Sequence, residues 1–383
     1  MIVKRKAVDY PLLFCVVAML LLGVTMVMSA TLFLADKNYD DSFFFINRHL
    51  MHLIIGIVAF LLGFFIKPRM LVGMRVAFLV AALCLLMMVY LPGFGIMVNG
   101  ARRWIGLPFM KLQPSELAKW CFIVFVAAYC AKRSKLEHRL RLIDAAAIFS
   151  LTFICDVLLC LQPDFGSAIV LTVIVFHITY VAGLPMIVMA VGLGLGAVLA
   201  LLLVFYEPYR LVRVMTFLNP WAFAYGSGYQ LTQSLMAIGG GGLWGKGISQ
   251  SVHKIFYLPE AHTDFIFAIV CEELGFVGGM GVLLGYLTIV LRIYQWAYRF
   301  AQEKNFFFAY YAVGIASWFS IQVCIAAGVN MGLLPTKGLG MPLLSYGGSH
   351  LVCLLLALGV LFSMIATIAS KFKQRASSQQ VWC

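Results

Sequence analysis

Asp264 follows Pro259-Glu260-Ala261-His262-Thr263 and begins an apolar run. A carboxylate there can complement the positive end of a helix dipole. It can equally act as a general base whose proton affinity is set by nearby Arg, Lys and lipid. The residues alone leave both open. Glu116 and Lys119 follow Pro114-Ser115 at i, i+3 spacing, which puts them on one face of a helix and makes an ion pair within the membrane the expectation. Ser115 is the expected cap of that helix. Such a pair can fix helix orientation as readily as it can serve chemistry. Arg102, Arg103, Arg210 and Arg213 offer guanidinium forks that match phosphate oxygens, so together they suit an anionic headgroup. Interfacial snorkelling is the plainer account of each singly. Glu272 and Glu273 stand about 12 Å beyond Asp264 along a helix, a depth at which carboxylates either pair or function.

These residues sit in a chain that is 63% hydrophobic and only 11% charged over 383 residues. That composition excludes a water-soluble globule and a disordered chain. The expected fold is therefore an all-α integral membrane bundle. Apolar runs at roughly 11–34, 50–66, 75–92, 115–131, 143–161, 166–183, 186–206, 264–291, 306–330 and 343–369 predict ten transmembrane helices. The first run is too long for a signal peptide and no small-residue cleavage site follows it, so it is read as an uncleaved helix. Residues 1–383 form one polytopic domain in this reading, with no separate soluble domain. The clusters Lys4-Arg5-Lys6, Lys67 to Arg75, Lys132 to Arg141, Arg292 to Lys304 and Lys371 to Arg375 all fall on one side, which puts both termini in the cytoplasm. The net charge of +13 then records topology and contact with anionic lipid, not nucleic acid. The ten cysteines have neither zinc-finger nor thioredoxin spacing and read as small core residues.

Several features promise less than their patterns suggest. Gly240–Gly247 contains G-x-x-x-x-G-K but no Ser or Thr after Lys246, and it lies outside the cell, so tight turns are preferred to a nucleotide site. Gly192, Gly194 and Gly196 are expected to allow close helix packing. His177 reads as an interhelical histidine without a metal.

Polar sequence instead accumulates on the outer face, in Gly93–Glu116, Gln162–Gly166, Arg210–Pro220, Tyr229–Asp264 and Asn330–Ser349. Irregular backbone at membrane depth requires protein cover or a wet cavity, so a cavity opening outward is expected. The long extracytoplasmic loop 207–263 joins helices seven and eight. Its aromatic residues argue against disorder, and Gly228–Ile238 is expected to form a short amphipathic helix along the interface.

Gln230–Glu273 (QLTQSLMAIGGGGLWGKGISQSVHKIFYLPEAHTDFIFAIVCEE) and Asn330–Ser349 (NMGLLPTKGLGMPLLSYGGS) resemble the SEDS family (FtsW, RodA and SpoVE), the polytopic proteins of shape, elongation, division and sporulation. Gly100–Lys119 and Gln162–Ala168 match in the same order, and the resemblance covers essentially the whole chain. Leu334–Gly338, with Lys337, resembles the division type. His350 departs from a small hydroxyl residue and Gly240 from Ser; neither departure is expected to touch the chemistry.

The resemblance implies a peptidoglycan glycosyltransferase of the cytoplasmic membrane, working at the division septum on lipid II, an undecaprenyl-pyrophosphate disaccharide-pentapeptide. It implies Asp264 as the essential acid and an important ion pair at Glu116 and Lys119. Arg102, Arg103, Trp104, Lys111, Arg210, Arg213, His262, Lys337 and Ser345 are expected to bind the substrate. A divalent cation, magnesium or manganese, could assist the departing pyrophosphate; no nucleotide is needed. The implied partners are a class B penicillin-binding protein transpeptidase and other division proteins. Two rival readings are a lipid II flippase coupled through Asp156, Glu272 and Glu273, and a division scaffold.

Overall fold

The computed structural model describes residues 9–98, 101–106, 111–137, 140–206, 208–255 and 257–380, with backbone alone for some stretches, among them 200–206, 208–210 and 371–380. Helices dominate. α1 (Tyr10–Tyr39), α2 (Phe44–Phe65), α3 (Pro68–Gly73) and α4 (Arg75–Met88) lead into three short strands, followed by α5 (Pro114–Glu137), α6 (Leu142–Leu161), α7 (Phe165–Val181) and α8 (Met186–Tyr206). α9 (Pro208–Leu218) and α10 (Tyr229–Gly240) occupy the long loop, and α11 (Ile266–Gln302), α12 (Phe306–Asn330) and α13 (Gly348–Gln380) complete the chain.

Among the described residues, seven helices are long and apolar enough to cross a membrane: α1, α2, α5, α6, α11, α12 and α13. α4, α7 and the first half of α8 are apolar but shorter. This is a multi-pass membrane protein. Its helices fall into two classes. The apolar windows of α5, α12 and α13 are 83–89% buried, whereas those of α2 and α11 are 28% buried. The first group is the centre of the bundle and the second presents apolar side chains to lipid. α1 illustrates the boundary. Leu12, Val16, Met19, Gly23, Met26 and Ala30 are buried along one stripe, while Phe14, Leu21 and Phe33 face outward. Spacings of three and four place the buried set on a single face. Asp9 caps α1 by accepting from Leu12 N at 2.9 Å, and its other oxygen holds Arg292 at 2.7 Å and Trp296 at 2.6 Å near the end of α11.

The all-α expectation needs one correction. β1 (Gly95–Val98), β2 (Ala101–Gly106) and β3 (Lys111–Leu112) form an antiparallel sheet of order β1-β2-β3, with a bulge between Ile96 and Met97. A ribbon satisfies its own backbone groups, so it can rest at a bundle end where a bare loop could not. The ribbon carries Arg102, Arg103, Trp104 and Lys111.

Three smaller expectations also shift. Ser115 lies inside the first turn of α5, not at its cap, and its hydroxyl donates to Asp164 Oδ2 at 3.2 Å. α10 forms where predicted, but Leu231, Ser234 and Ala237 are buried, and Ser234 bonds the Asn330 carbonyl at 2.9 Å. It packs on the bundle rather than only along the interface. Gly192 does admit the Phe176 ring, whereas among the described residues a Cβ on Gly194 or Gly196 would meet nothing within 4 Å. His177 is the expected interhelical histidine, with Ser317 Oγ 2.7 Å from its Nδ1.

Candidate functional site

Asp264 lies in the turn just ahead of α11. That turn is organised by one carbonyl: Glu260 O accepts from the N–H groups of Thr263, Asp264 and Phe265 at 3.1–3.3 Å. The Glu260 side chain is exposed and receives the Thr263 hydroxyl at 3.0 Å. Asn330, at the end of α12, locks the same turn to the bundle. Its Nδ2 donates to the Asp264 carbonyl at 2.9 Å, and its Oδ1 accepts from Ala268 N at 3.0 Å. Each amide atom thus ties α12 to a different part of the α11 entry.

The Asp264 backbone is held, but its side chain is not. No hydrogen-bond donor reaches the half-buried Asp264 carboxylate among the described residues. Burial, reinforced by the negative charge of Glu260, pushes its pKa up to about 7. Gly338 forms the opposite wall: a Cβ there would sit 2.9 Å from Asp264 Oδ2. Any side chain at 338 would therefore fill the space before the carboxylate.

Lys337 is half-buried beside this wall. Burial lowers its pKa to about 8 while Asp164 works in the opposite direction, so it remains mostly cationic at neutral pH. Arg213, exposed on α9, donates to the Thr336 carbonyl at 3.0 Å, which brings a second guanidinium to the same loop. Ser345 shapes that loop from within, its Oγ accepting from Met341 N at 2.7 Å. His262 is buried between the rings of Phe45 and Tyr346, at 5.3 and 5.5 Å between centroids, and its carbonyl accepts from Tyr346 N at 2.9 Å. Burial holds its imidazole below the ordinary range, hence neutral. A pocket of about 240 Å³ opens between Ala30 and Leu34 of α1 and residues 258–262.

The other predicted residues gather elsewhere. Glu116 and Lys119 form the expected ion pair at 2.8 Å, fully buried in α5. The second Glu116 oxygen is 2.8 Å from His350 Nδ1. His350 was expected to be a bystander; it is instead bonded to a candidate site residue. Arg103 reaches from the ribbon to the carbonyls of Gln162 and Pro163 at 2.9 and 2.7 Å. Arg102 and Lys111 are exposed on the ribbon and Trp104 is half-buried. Arg210 falls in α9, but its side chain lies outside the described residues. Asp164, Gln113 and Ser349 were not singled out from sequence. Asp164 caps α7 and accepts from Gln113 Nε2 at 3.1 Å, while Ser349 joins the Lys111 carbonyl and Gln113 N at 2.7 and 2.8 Å. These bonds draw the segments around 113, 164 and 349 to one end of the bundle, where the Asp164 charge also acts on Lys337.

Glu272 and Glu273 prove to be structural. Glu272 holds Lys246 at 2.7 Å, His253 at 3.0 Å and the Ser251 hydroxyl; Glu273 holds Lys254 at 2.9 Å and Ser29 at 2.6 Å. Between them and the next turn, α11 is broken at Gly275, φ 70° and ψ −170°. The break frees the Glu272 and Glu273 carbonyls, which accept from Lys246 N and Gly247 N at 3.0 Å each. The P-loop lookalike is therefore a backbone clasp on a broken helix.

The arrangement can be set beside known proteins. Residues 10–370 match the cell cycle protein family that unites FtsW, RodA and SpoVE. The chain belongs to this family. It is of the FtsW type. A probable peptidoglycan glycosyltransferase FtsW from Alcanivorax borkumensis is 39% identical over 367 residues, covering 94% of this chain and 93% of that one. The corresponding protein of Coxiella burnetii is 40% identical, covering 92% and 95%. Among solved structures, a chain of a peptidoglycan synthase complex that coordinates polymerization and crosslinking aligns with TM-score 0.76 and 31% identity, over 94% of this chain and 98% of that one. Thermus thermophilus RodA, a rod shape determining protein, aligns with TM-score 0.70 and 30% identity over the same shares.

Proposed function

We infer that this protein is a peptidoglycan glycosyltransferase of cell division, which polymerises lipid II with Asp264 as general base. The observation that carries the assignment of the base is the Asp264 carboxylate. It is held by its backbone, bare of donors among the described residues, and has a pKa near 7. A base of that affinity combines a usable ionised fraction with a strong pull on a proton.

In the reaction, ionised Asp264 accepts the proton of the GlcNAc 4-hydroxyl on the acceptor lipid II. The resulting oxygen attacks C1 of the terminal MurNAc on the growing strand. The bond from C1 to undecaprenyl pyrophosphate breaks with inversion, and the leaving group carries away the electron pair. Lys337 and Arg213 are the cations best placed for that pyrophosphate, with Arg102, Lys111 and Arg210 as further contacts. Arg103 contributes mainly by holding the ribbon, since two of its guanidinium nitrogens are occupied by carbonyls. His262 and Ser345 shape the pocket wall and loop, and Trp104 offers an aromatic face. Among the described residues no three His, Cys, Asp or Glu side chains gather to hold a metal. A magnesium or manganese ion assisting the reaction would therefore be held chiefly by the pyrophosphate itself, with one or two protein ligands.

The site faces outward in a bundle of ten spans with both termini in the cytoplasm, residues 1–383 forming one polytopic domain at the division septum. A class B penicillin-binding protein is the partner that would crosslink the product. The flippase reading loses two of its three coupling carboxylates, because Glu272 and Glu273 are saturated by Lys246, His253 and Lys254. The test is polymerisation of labelled lipid II by the purified protein with its transpeptidase partner. Asp264→Asn should abolish product while leaving folding and partner binding intact; full polymerisation by that variant would reject the base.

A further inference from the structure

The buried Glu116–Lys119 pair is not bonded to Asp264, yet a directional chain of hydrogen bonds runs from one toward the other. An indole can only donate, and Trp318 Nε1 lies 2.9 Å from Gln322 Oε1. Gln322 Nε2 is therefore the amide nitrogen, with two protons to give. One goes to the Gly340 carbonyl at 3.2 Å and the other to His350 Nε2 at 3.1 Å. That makes His350 Nε2 an acceptor and leaves the proton of the neutral ring on Nδ1. His350 Nδ1 then donates to Glu116 Oε2 at 2.8 Å, and Lys119 donates to Glu116 Oε1 at 2.8 Å. Every proton in the sequence has one direction.

The far end of this chain is the wall of the site. A Cβ on Gly340 would sit 3.3 Å from the Thr263 carbonyl, and Gly338, two residues earlier, is packed against the Asp264 carboxylate. Gln322 and Glu116 are 2% and 3% exposed and Lys119 is fully buried. Both Glu116 oxygens are engaged and Lys119 is shut off from solvent, so the pair is closed to a substrate.

We propose that His350 and Gln322 are positioning residues, which transmit the fixed geometry of the Glu116–Lys119 pair to the 337–340 backbone and so hold Gly338 and Lys337 in register with Asp264. The role rests on the assignment of Asp264 as base. It also gives the departure at His350 a purpose: an imidazole spans the gap between Glu116 and Gln322 with one donor and one acceptor, which a short hydroxyl residue does not reach.

The test is lipid II polymerisation by the full-length protein with its transpeptidase partner, measured with melting temperature for Gln322→Leu, His350→Ala, their double variant, His350→Asn and Asp264→Asn. Each single variant should lower kcat per folded molecule about ten- to hundredfold through misplacement of the wall, with KM within about twofold, and should lower the melting temperature because buried polar groups lose their partners. The double variant should be no worse than the poorer single. His350→Asn, whose amide can still donate to Glu116 but falls short of Gln322, should stay as low as His350→Ala. Losses that multiply in the double variant, a change confined to KM, or full recovery in His350→Asn would each overturn the proposal. If Gln322→Leu fails to fold, the two His350 variants still decide it. Normal polymerisation by Asp264→Asn would sink the base assignment itself, whereas an inactive Asp264→Asn beside a fully active Gln322→Leu would sink only the positioning chain.

Discussion

Asp264 and the pair Glu272–Glu273 lie within ten residues of one another, and the protein treats them oppositely. The glutamates sit where α11 is already formed, fully buried, and every oxygen is answered by lysine, histidine, hydroxyl or backbone N–H. Asp264 sits two residues before the helix, with its backbone pinned by Asn330 and its carboxylate left open. Buried charge that is fully partnered fixes a fold; buried charge that is left unpartnered has an altered proton affinity and can do chemistry. Between these two sites it is the partners, not depth in the membrane, that separate the silent carboxylates from the open one.

Exchanging the isosteric amide at each position should break that symmetry most sharply. Asp264→Asn is expected to lower polymerisation by about 10²–10⁴-fold, the usual worth of a general base, with no loss of fold. Glu273→Gln is expected to do the reverse. It leaves the Lys254 ammonium, 1% exposed, without its counter-charge, a change that costs about 3–5 kcal/mol. Thermal unfolding should show that loss while the surviving folded fraction keeps its kcat.

The pH dependence sharpens the contrast. Because the pKa of Asp264 is raised to about 7, activity should fall as pH drops through 7, about tenfold per unit further down. The stability effect has the other sign. A raised carboxyl pKa favours the folded state fully near pH 4, and this contribution is lost as pH rises to 7. Asp264→Asn should therefore melt with the unmodified protein at pH 4 and above it at pH 8.

The smallest expected effect concerns the clasp. Gly275→Ala places a side chain at φ 70° and 2.3 Å from Gly245 N. Backbone strain of about 1–3 kcal/mol should lower the melting temperature. Loss of activity should follow only in proportion to unfolded protein, as measured by rate per folded molecule.

Much of this was legible in residue order. The apolar runs located the long helices because a span requires a sustained apolar stretch, and the i, i+3 rule found the Glu116–Lys119 pair. The ribbon was missed because two strands of four and six residues leave little periodic signal, although Asn99-Gly100 between them is a pair favoured at hairpin turns. The glycines of Gly240–Gly247 predict turns, but their pairing with the Glu272 and Glu273 carbonyls is a long-range contact. In sequence His350 is only a departure from the family pattern; its contact with Glu116 spans 234 positions, which no local pattern records.

By itself, then, the sequence determined what each segment can be. Hydropathy and charge asymmetry specify a membrane bundle, and residue types specify which groups could bind phosphate or move a proton, because these properties belong to single side chains and their near neighbours. Tertiary structure alone decided that Glu272 and Glu273 are silenced while the Asp264 carboxylate is left open. That outcome depends on hydrogen bonds between residues tens to hundreds of positions apart, such as Asn330 to Asp264 and Lys254 to Ser29, and no local pattern encodes where those partners meet.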